Sequence, residues 1–274
     1  MTSRLSHKIA CLGAGQMAEA LLGGLLAAHI AEPSDLWATD PSEPRRDLIK
    51  QRFGIRVGLD NQEATRWADI VLLAVKPQVL GAVLHDVSSS LSGRLVVSIA
   101  AGIPIRYVAD RLPEGARIVR AMPNAPAMVR EGMSVLAFGS TVTDPDKTAV
   151  RTLFESVGRV ALVDELLMDA VTGLSGSGPA YIFMAIEALA DGGVKMGLPR
   201  ATAELLAAQT AVGAARTMLE TGEHPGRLKD RVASPGGTTM AGLHQLEQGG
   251  FRASLIAAVR AATERARELG QPER

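Results

Sequence analysis

Hydrophobic positions in the first half of the chain come in short runs separated by polar, helix-patterned segments. Residues 8–12 form a short apolar strand. Residues 13–15 then turn the chain into a helix over 17–28, where Leu21, Leu22, Leu25 and Leu26 recur at helical spacing. A second strand at 36–39, a polar-faced helix at 43–53 and a short strand at 55–57 follow. Residues 70–75 are a near-continuous apolar run, the pattern of a central parallel strand buried on both faces. Residues 95–99 and 117–119 repeat that pattern, each after a helical or turn segment. Two further strands, 134–138 and 159–163, flank a helix at 145–157. This alternation predicts an α/β fold with a doubly wound sheet, a Rossmann-type dinucleotide-binding domain.

After Asp164 the texture changes. Strand patterns vanish, and Ala- and Leu-rich helical segments take over at 181–195, 201–220, 239–248 and 254–269. The reading is a dinucleotide-binding domain over 1–165 and an all-helical domain for dimerisation and substrate binding over 166–274. These helices are apolar on more than one face, so they carry surface beyond what their own core can hide. A bundle shared between two subunits is expected. Residues 270–274 should fray.

Composition narrows the function. The 274 residues are 47% hydrophobic, enough for a sizeable core. With 29 basic and 29 acidic residues the chain has no net charge, which gives no reason to expect nucleic acid or a membrane surface as partner. The one cysteine, Cys11, rules out an internal disulfide and suits a reducing compartment; it lies in an apolar run, as a buried core residue would. Residues 1–8 lack the apolar stretch of a signal peptide, and later apolar runs are too short to span a bilayer. A cytoplasmic protein is expected.

The first chemical motif is Gly13-Ala14-Gly15-Gln16-Met17-Ala18, which matches G-x-G-x-x-[GA] between the first strand and the first helix. Gly13 permits the turn, Gly15 lets the backbone approach a pyrophosphate, and Ala18 keeps helix and strand close. The helix start supplies free N–H groups for phosphate. Asp40 ends the second strand, where an acid bonds the adenosine ribose and repels a 2′-phosphate, pointing to NADH. Arg45, Arg46, Lys50 and Arg52 stand just beyond, and an arginine there can bind the 2′-phosphate of NADPH. The choice between NADPH and NADH stays open.

The reaction should sit beyond the carboxyl ends of the strands. Three segments fall there: Ala74-Val75-Lys76-Pro77-Gln78, Ser98-Ile99-Ala100-Ala101-Gly102, and Met122-Pro123-Asn124-Ala125-Pro126-Ala127. Prolines stiffen the first and third, and the small residues of the second can floor a nicotinamide ring. In the helical domain, Ser234-Pro235-Gly236-Gly237-Thr238-Thr239 precedes a helix. Its glycines expose backbone N–H groups, its hydroxyls add donors, and the helix start adds positive potential, which together make a neutral pocket for a small carboxylate. His7, His29, His85, His224 and His244 have no paired metal spacing, so no metal is expected, and there is no G-x-S-x-G nucleophile motif. Such a site suits hydride transfer to a substrate that is already electrophilic.

These residues carry a family resemblance. Pro225-x-x-Leu228-x-x-x-Val232-Ala233-Ser234-Pro235-Gly236-Gly237-Thr238-Thr239-x-x-Gly242-Leu243-x-x-Leu246-Glu247 closely resembles the signature of the pyrroline-5-carboxylate reductase family. The run from Ile9 to Ala18, the Ala74-Val75-Lys76-Pro77 and Met122-Pro123-Asn124 segments, Leu174-Ser175-Gly176-Ser177-Gly178-Pro179-Ala180 and Asp191-Gly192-Gly193-Val194 extend the likeness over nearly the whole chain. The resemblance implies reduction of L-1-pyrroline-5-carboxylate to L-proline by NADPH or NADH, the last step of proline synthesis. It implies a homodimer through the helical domain, often assembled further into a decamer.

The resemblance also implies site residues. Ser234, Gly236, Gly237, Thr238 and Thr239 would hold the substrate. Thr239, the catalytic candidate, would bond near the imine nitrogen, with water as the alternative proton source. The resemblance places Asn61 and Lys76 near the cofactor, where the glycine motif and the strand ends already put Gly13, Gly15, Gln16, Met17, Asp40, Ala74, Val75, Pro77, Ala100 and Asn124. Asp40 departs from the neutral residue that many members carry, so the dinucleotide preference does not follow from the family. Two other readings remain. One is a β-hydroxy-acid dehydrogenase using Lys195 as base, although the glycines around that lysine suggest a helix end. The other is a dinucleotide sensor, which would not need the 234–239 loop.

Overall fold

The computed structural model describes residues 4–270. The described chain divides into two compact units. One holds the residues through Ser177 together with those from Arg260 onward, and the other is Gly178–Val259.

The first unit is built on an eight-stranded sheet in the order β3-β2-β1-β4-β5-β6-β7-β8. The strands are β1 (Ile9–Leu12), β2 (Leu36–Thr39), β3 (Arg56–Gly58), β4 (Ile70–Leu73), β5 (Leu95–Ser98), β6 (Arg117–Met122), β7 (Gly132–Phe138) and β8 (Gly158–Leu162). The helices among them are α1 (Gln16–Ala27), α2 (Glu43–Phe53), α3 (Asn61–Trp67), α4 (Pro77–Val87), α5 (Ile105–Ala109), α6 (Asp144–Glu155) and α7 (Met168–Val171). The first strand and helix pairs form because short β-rich apolar runs alternate with helix-period segments. Every residue of β1, β2, β4 and β5 is buried, and odd and even positions feed opposite faces. Ile9 and Cys11 join Leu21, Leu25 and Phe154 in one core, while Ala10 and Leu12 join Leu80, Val71 and Val96 in the other. Covering both faces is what a parallel sheet requires.

The doubly wound expectation holds, with one antiparallel pair that the sequence pattern does not foretell. β6 and β7 pair antiparallel, whereas the other neighbouring strands are parallel. The 123–131 connection is too short to carry the helical crossover that a parallel return needs. It instead makes a short 3-10 helix (Ala125–Val129) and reverses at Arg130, which takes the left-handed conformation with φ 59°. Strand bounds shift slightly as well. β4 stops at Leu73, freeing Ala74 and Val75 for the loop, and β6 runs on to Met122 rather than ending at Val119. Arg120 hides that extension in the sequence. It is buried inside the strand, donating to Asp169 at 2.9 Å with Glu165 at 3.7 Å.

The remaining helices are α8 (Gly178–Lys195), α9 (Arg200–Thr221), α10 (Pro225–Arg231), α11 (Thr238–Gln248) and α12 (Phe251–Leu269), whose last turns belong to the first unit. α10 was not foreseen. Its polar sequence lacks apolar periodicity, and it starts on a His224 Nδ1 cap that accepts from Gly226 N–H at 3.1 Å. The second unit buries only small side chains, Ala190, Ala203 and Ala207, among its described residues. Phe183, Met184, Leu205 and Ile256 are each more than 60% exposed. Among the described residues no helix is long and apolar enough to cross a membrane. Residues 271–274, where fraying was expected, lie outside the described part.

Candidate active site

The first unit carries the glycine turn that the sequence motif assigns to phosphate. Gly13 follows β1 with φ 94°, and a β-carbon there would lie 2.8 Å from the Ala74 carbonyl oxygen, so only glycine fits. Gly13 N–H donates to the Thr39 carbonyl at 2.9 Å, which pins the turn to the end of β2. Gly15 is the N-cap of α1 in extended conformation and makes no side-chain cap bond. The first N–H groups of α1 therefore face outward with helix-dipole potential behind them. A β-carbon on Gly15 would meet no atom within 4 Å, which leaves the backbone open to a close ligand. Gln16 is exposed, while Met17 packs half-buried on the core.

The residues around the turn are tied into it. Asp40 accepts from Ala14 N–H through Oδ2 and from Ser42 N–H through Oδ1, both at 2.9 Å. Its carboxylate thus shapes the loop. Asn61, the first residue of α3, accepts from the Thr39 hydroxyl at 2.6 Å and stays partly exposed, with its amide nitrogen available. Of the basic residues after β2, which could serve a 2′-phosphate or lie on a solvated helix face, Arg45, Arg46 and Arg52 are engaged within the protein. Arg45 binds Glu19 and the Ala14 carbonyl, and Arg52 binds the other Glu19 oxygen. Arg46 donates to the Asp40 and Pro41 carbonyls at 2.7 and 3.0 Å.

At the carboxyl ends of β4 and β5, Ala74 and Val75 are half-buried and Lys76 is exposed as the N-cap of α4, with Pro77 starting the helix. Ala100 is buried just beyond β5. Asn124, after β6, has its side chain engaged within the protein. Oδ1 accepts from Met133 N–H at 2.8 Å, and Nδ2 donates to the Ser175 carbonyl and hydroxyl at 3.2 and 3.3 Å. Ser175 lies in a π-helical turn, Thr172–Gly176, a distortion frequent at functional sites. Cys11 supplies no nucleophile. Burial pushes its thiol up to about 12, the Asp40 charge adds to the effect, and its Sγ donates to the Gly13 carbonyl at 3.3 Å.

The second unit carries a second candidate site. Ser234, Pro235, Gly236 and Gly237 form a turn closed by Gly237 N–H donating to the Ser234 carbonyl at 3.0 Å. Proline second and a glycine with φ 70° third fit a type II turn. The Ser234 hydroxyl lies over Gly237, where any β-carbon would collide with it. α11 then starts at Thr238 from a Gly237 N-cap that has no capping side chain. The helix start is therefore uncapped, uncharged and flanked by the hydroxyls of Ser234, Thr238 and half-buried Thr239. Such a start offers free N–H groups and positive potential.

Comparison with known proteins gives the lineage. Over 97% of its length the chain is 49% identical to the pyrroline-5-carboxylate reductase of Methanosarcina acetivorans, covering 99% of that protein. The chain belongs to the pyrroline-5-carboxylate reductase family. Residues 165–269 match the family model described as pyrroline-5-carboxylate reductase dimerisation, and residues 8–102 match that of coenzyme F420-dependent NADP oxidoreductases. Two solved structures are similar throughout. A reductase from Coxiella burnetii aligns with TM-score 0.91 at 38% identity, covering 98% of this chain and 100% of that one. The Plasmodium falciparum enzyme, solved with NADP bound, aligns with TM-score 0.90 at 34% identity and the same coverage. Lys195, the base of the rival dehydrogenase reading, is the last residue of α8 and runs into Gly197 at φ 100°, a helix end.

Sequence reasoning missed Glu19 and Thr39 and gave no role to Ser175, which it quoted only within the family likeness. Glu19 left a signal as the one acid in α1.

Proposed function

We propose that this chain reduces L-1-pyrroline-5-carboxylate to L-proline with a reduced nicotinamide dinucleotide, the last step of proline synthesis. The observation that carries the reading is the uncapped, uncharged start of α11 behind the 234–239 loop, in a chain of this family. The first unit fits a dinucleotide on its own terms, because Gly15 leaves open space at an uncapped helix start.

The bound dinucleotide supplies the hydride. Gly15, Gln16 and Met17 would take the pyrophosphate on backbone N–H groups, and Gly13, whose own N–H is spent on the Thr39 carbonyl, would shape the turn beneath it. Asp40 and Asn61 face the ribose side of the loop, and Ala74, Val75, Lys76, Pro77 and Ala100 line the nicotinamide side. Asn124 acts from behind, since its amide is spent on Met133 and Ser175. The Ser234, Thr238 and Thr239 hydroxyls and the N–H groups of Gly236, Thr238 and Thr239 hold the substrate carboxylate, while Gly237, whose N–H closes the turn on the Ser234 carbonyl, sets the helix start. An imine accepts hydride once its nitrogen gains a proton. The Thr239 hydroxyl orients that nitrogen and relays a proton from water, being itself a poor acid. Most of the rate enhancement comes from positioning.

The division of labour follows the 1–165 and 166–274 segments. The apolar side chains left exposed on α8, α9 and α12 support a homodimer through the helical segment, which can assemble further into a decamer. The test is a steady-state assay of the purified chain with pyrroline-5-carboxylate and each reduced dinucleotide, with L-proline identified as product. Dinucleotide oxidation without proline would remove the reading.

A further inference from the structure

Glu19 stands in the first turn of α1, beside the phosphate turn, and is 9% exposed. Both of its carboxylate oxygens are taken, one by Arg45 and one by Arg52. Arg45 is the arginine best placed for an adenosine 2′-phosphate. It sits at the start of α2, just past the end of β2, with its Nε on the Ala14 carbonyl of the phosphate turn. Glu19 draws the other end of that guanidinium toward the helix. Arg46 donates to the Asp40 and Pro41 carbonyls through a single terminal nitrogen, and Asp40 adds a second negative charge at the same strand end. An incoming 2′-phosphate would therefore meet two carboxylates, with Arg45 and Arg52 both committed to Glu19.

We propose that Glu19 is a specificity-determining residue that discriminates against the 2′-phosphate of NADPH by holding Arg45 away from it. This rests on the reading of the 13–18 turn as a dinucleotide site. It assigns selectivity to a side chain on α1, outside the end of β2 where such determinants are sought. Asp40 supports the same outcome while its main bonds go to the loop backbone.

Glu19→Gln keeps the shape and removes the charge. Arg45 then turns to the phosphate, and the NADPH-to-NADH ratio of kcat/KM should rise about 10-fold, the size of one charge-assisted hydrogen bond in a partly solvated site. The double variant Glu19→Gln/Arg45→Met should fall back to near the wild-type ratio, because the effect runs through Arg45. Calorimetric titration with adenosine 2′,5′-bisphosphate and with AMP gives the same comparison without turnover. Glu19→Gln should tighten the bisphosphate about 10-fold and leave AMP nearly unchanged. Partial misfolding would lower both ligands alike, so the ratio stays interpretable. An unchanged ratio, a shift toward NADH, or a shift that survives loss of Arg45 overturns the proposal, as does wild-type protein that binds neither dinucleotide. Wild-type protein that binds both dinucleotides but makes no proline removes the functional reading and leaves the Glu19 assignment standing.

Discussion

Gly15→Asp separates binding from folding more cleanly than any other change in the cofactor loop. Gly15 has φ −65° and ψ −178°, which any residue adopts, and its missing β-carbon faces open space. It is also the N-cap of α1, where aspartate is preferred over glycine by a few tenths of a kcal/mol. The added charge gains about 0.3–1 kcal/mol from the helix start. The fold should therefore be as stable as wild type or more so, with Tm unchanged or raised by about 1–3 °C. Binding should move the opposite way. A carboxylate about 5 Å from one phosphate charge costs about 3 kcal/mol at an effective dielectric constant near 20, and the pyrophosphate carries two such charges. The aspartate also takes N–H groups the phosphates would use. Affinity should fall at least 100-fold. Fluorescence titration with reduced dinucleotide, alongside a thermal melt, reads both effects. Affinity within about threefold of wild type, or a loss of binding accompanied by a lower Tm, would refute the reasoning.

Thr239→Val, which keeps shape and the backbone N–H, should lower kcat about 10- to 100-fold with little change in KM, because the hydroxyl matters most as the imine nitrogen is protonated. A loss confined to KM would make Thr239 a binding residue only. Asp146 closes the capping box of α6. Burial would raise its pKa, but bonds from the Thr143 hydroxyl and N–H and from Arg117 outweigh that and hold it below the usual carboxylate range. Such a group stabilises the fold above its unfolded pKa and loses that contribution as pH falls through the folded value. Asp146→Asn should cost about 1–2 kcal/mol at pH 7, and the gap to wild type should narrow below about pH 4; denaturant melts at several pH values check both. Light scattering at micromolar concentration should find a dimer or larger assembly, and a monomer would contradict the role given to the exposed apolar faces of α8, α9 and α12.

Legibility from sequence tracked how local the determining interaction is. β1, the phosphate turn and α1 were readable because a buried run, a glycine pair and a leucine stripe sit within a few residues of one another. The 234–239 turn was readable for the same reason, since Pro235 and Gly236 occupy the positions a type II turn requires. The antiparallel β6–β7 pair was not, because it depends on the shortness of a connection whose strand ends were themselves blurred. Arg120 blurred one of them, as a charge inside a strand reads as a boundary until Asp169 and Glu165 supply its partners from far along the chain. The partners of the arginines after β2 were hidden in the same way. Nothing near Arg45 or Arg52 in sequence announces Glu19, which lies on a different helix. Asn124 was legible as part of the loop after β6, but its bonds to Met133 and Ser175 exist only once β7 and the π-helical turn have packed beside it.

The central claim is that this chain moves a hydride from a nicotinamide to the imine carbon of pyrroline-5-carboxylate. The most direct test is a single turnover with dinucleotide deuterated at the transferring C4 position, followed by mass spectrometry and NMR of the product. The account predicts L-proline carrying one deuterium, at the ring carbon bonded to nitrogen and remote from the carboxylate. Proline without deuterium, or deuterated dinucleotide consumed with no proline formed, would contradict it.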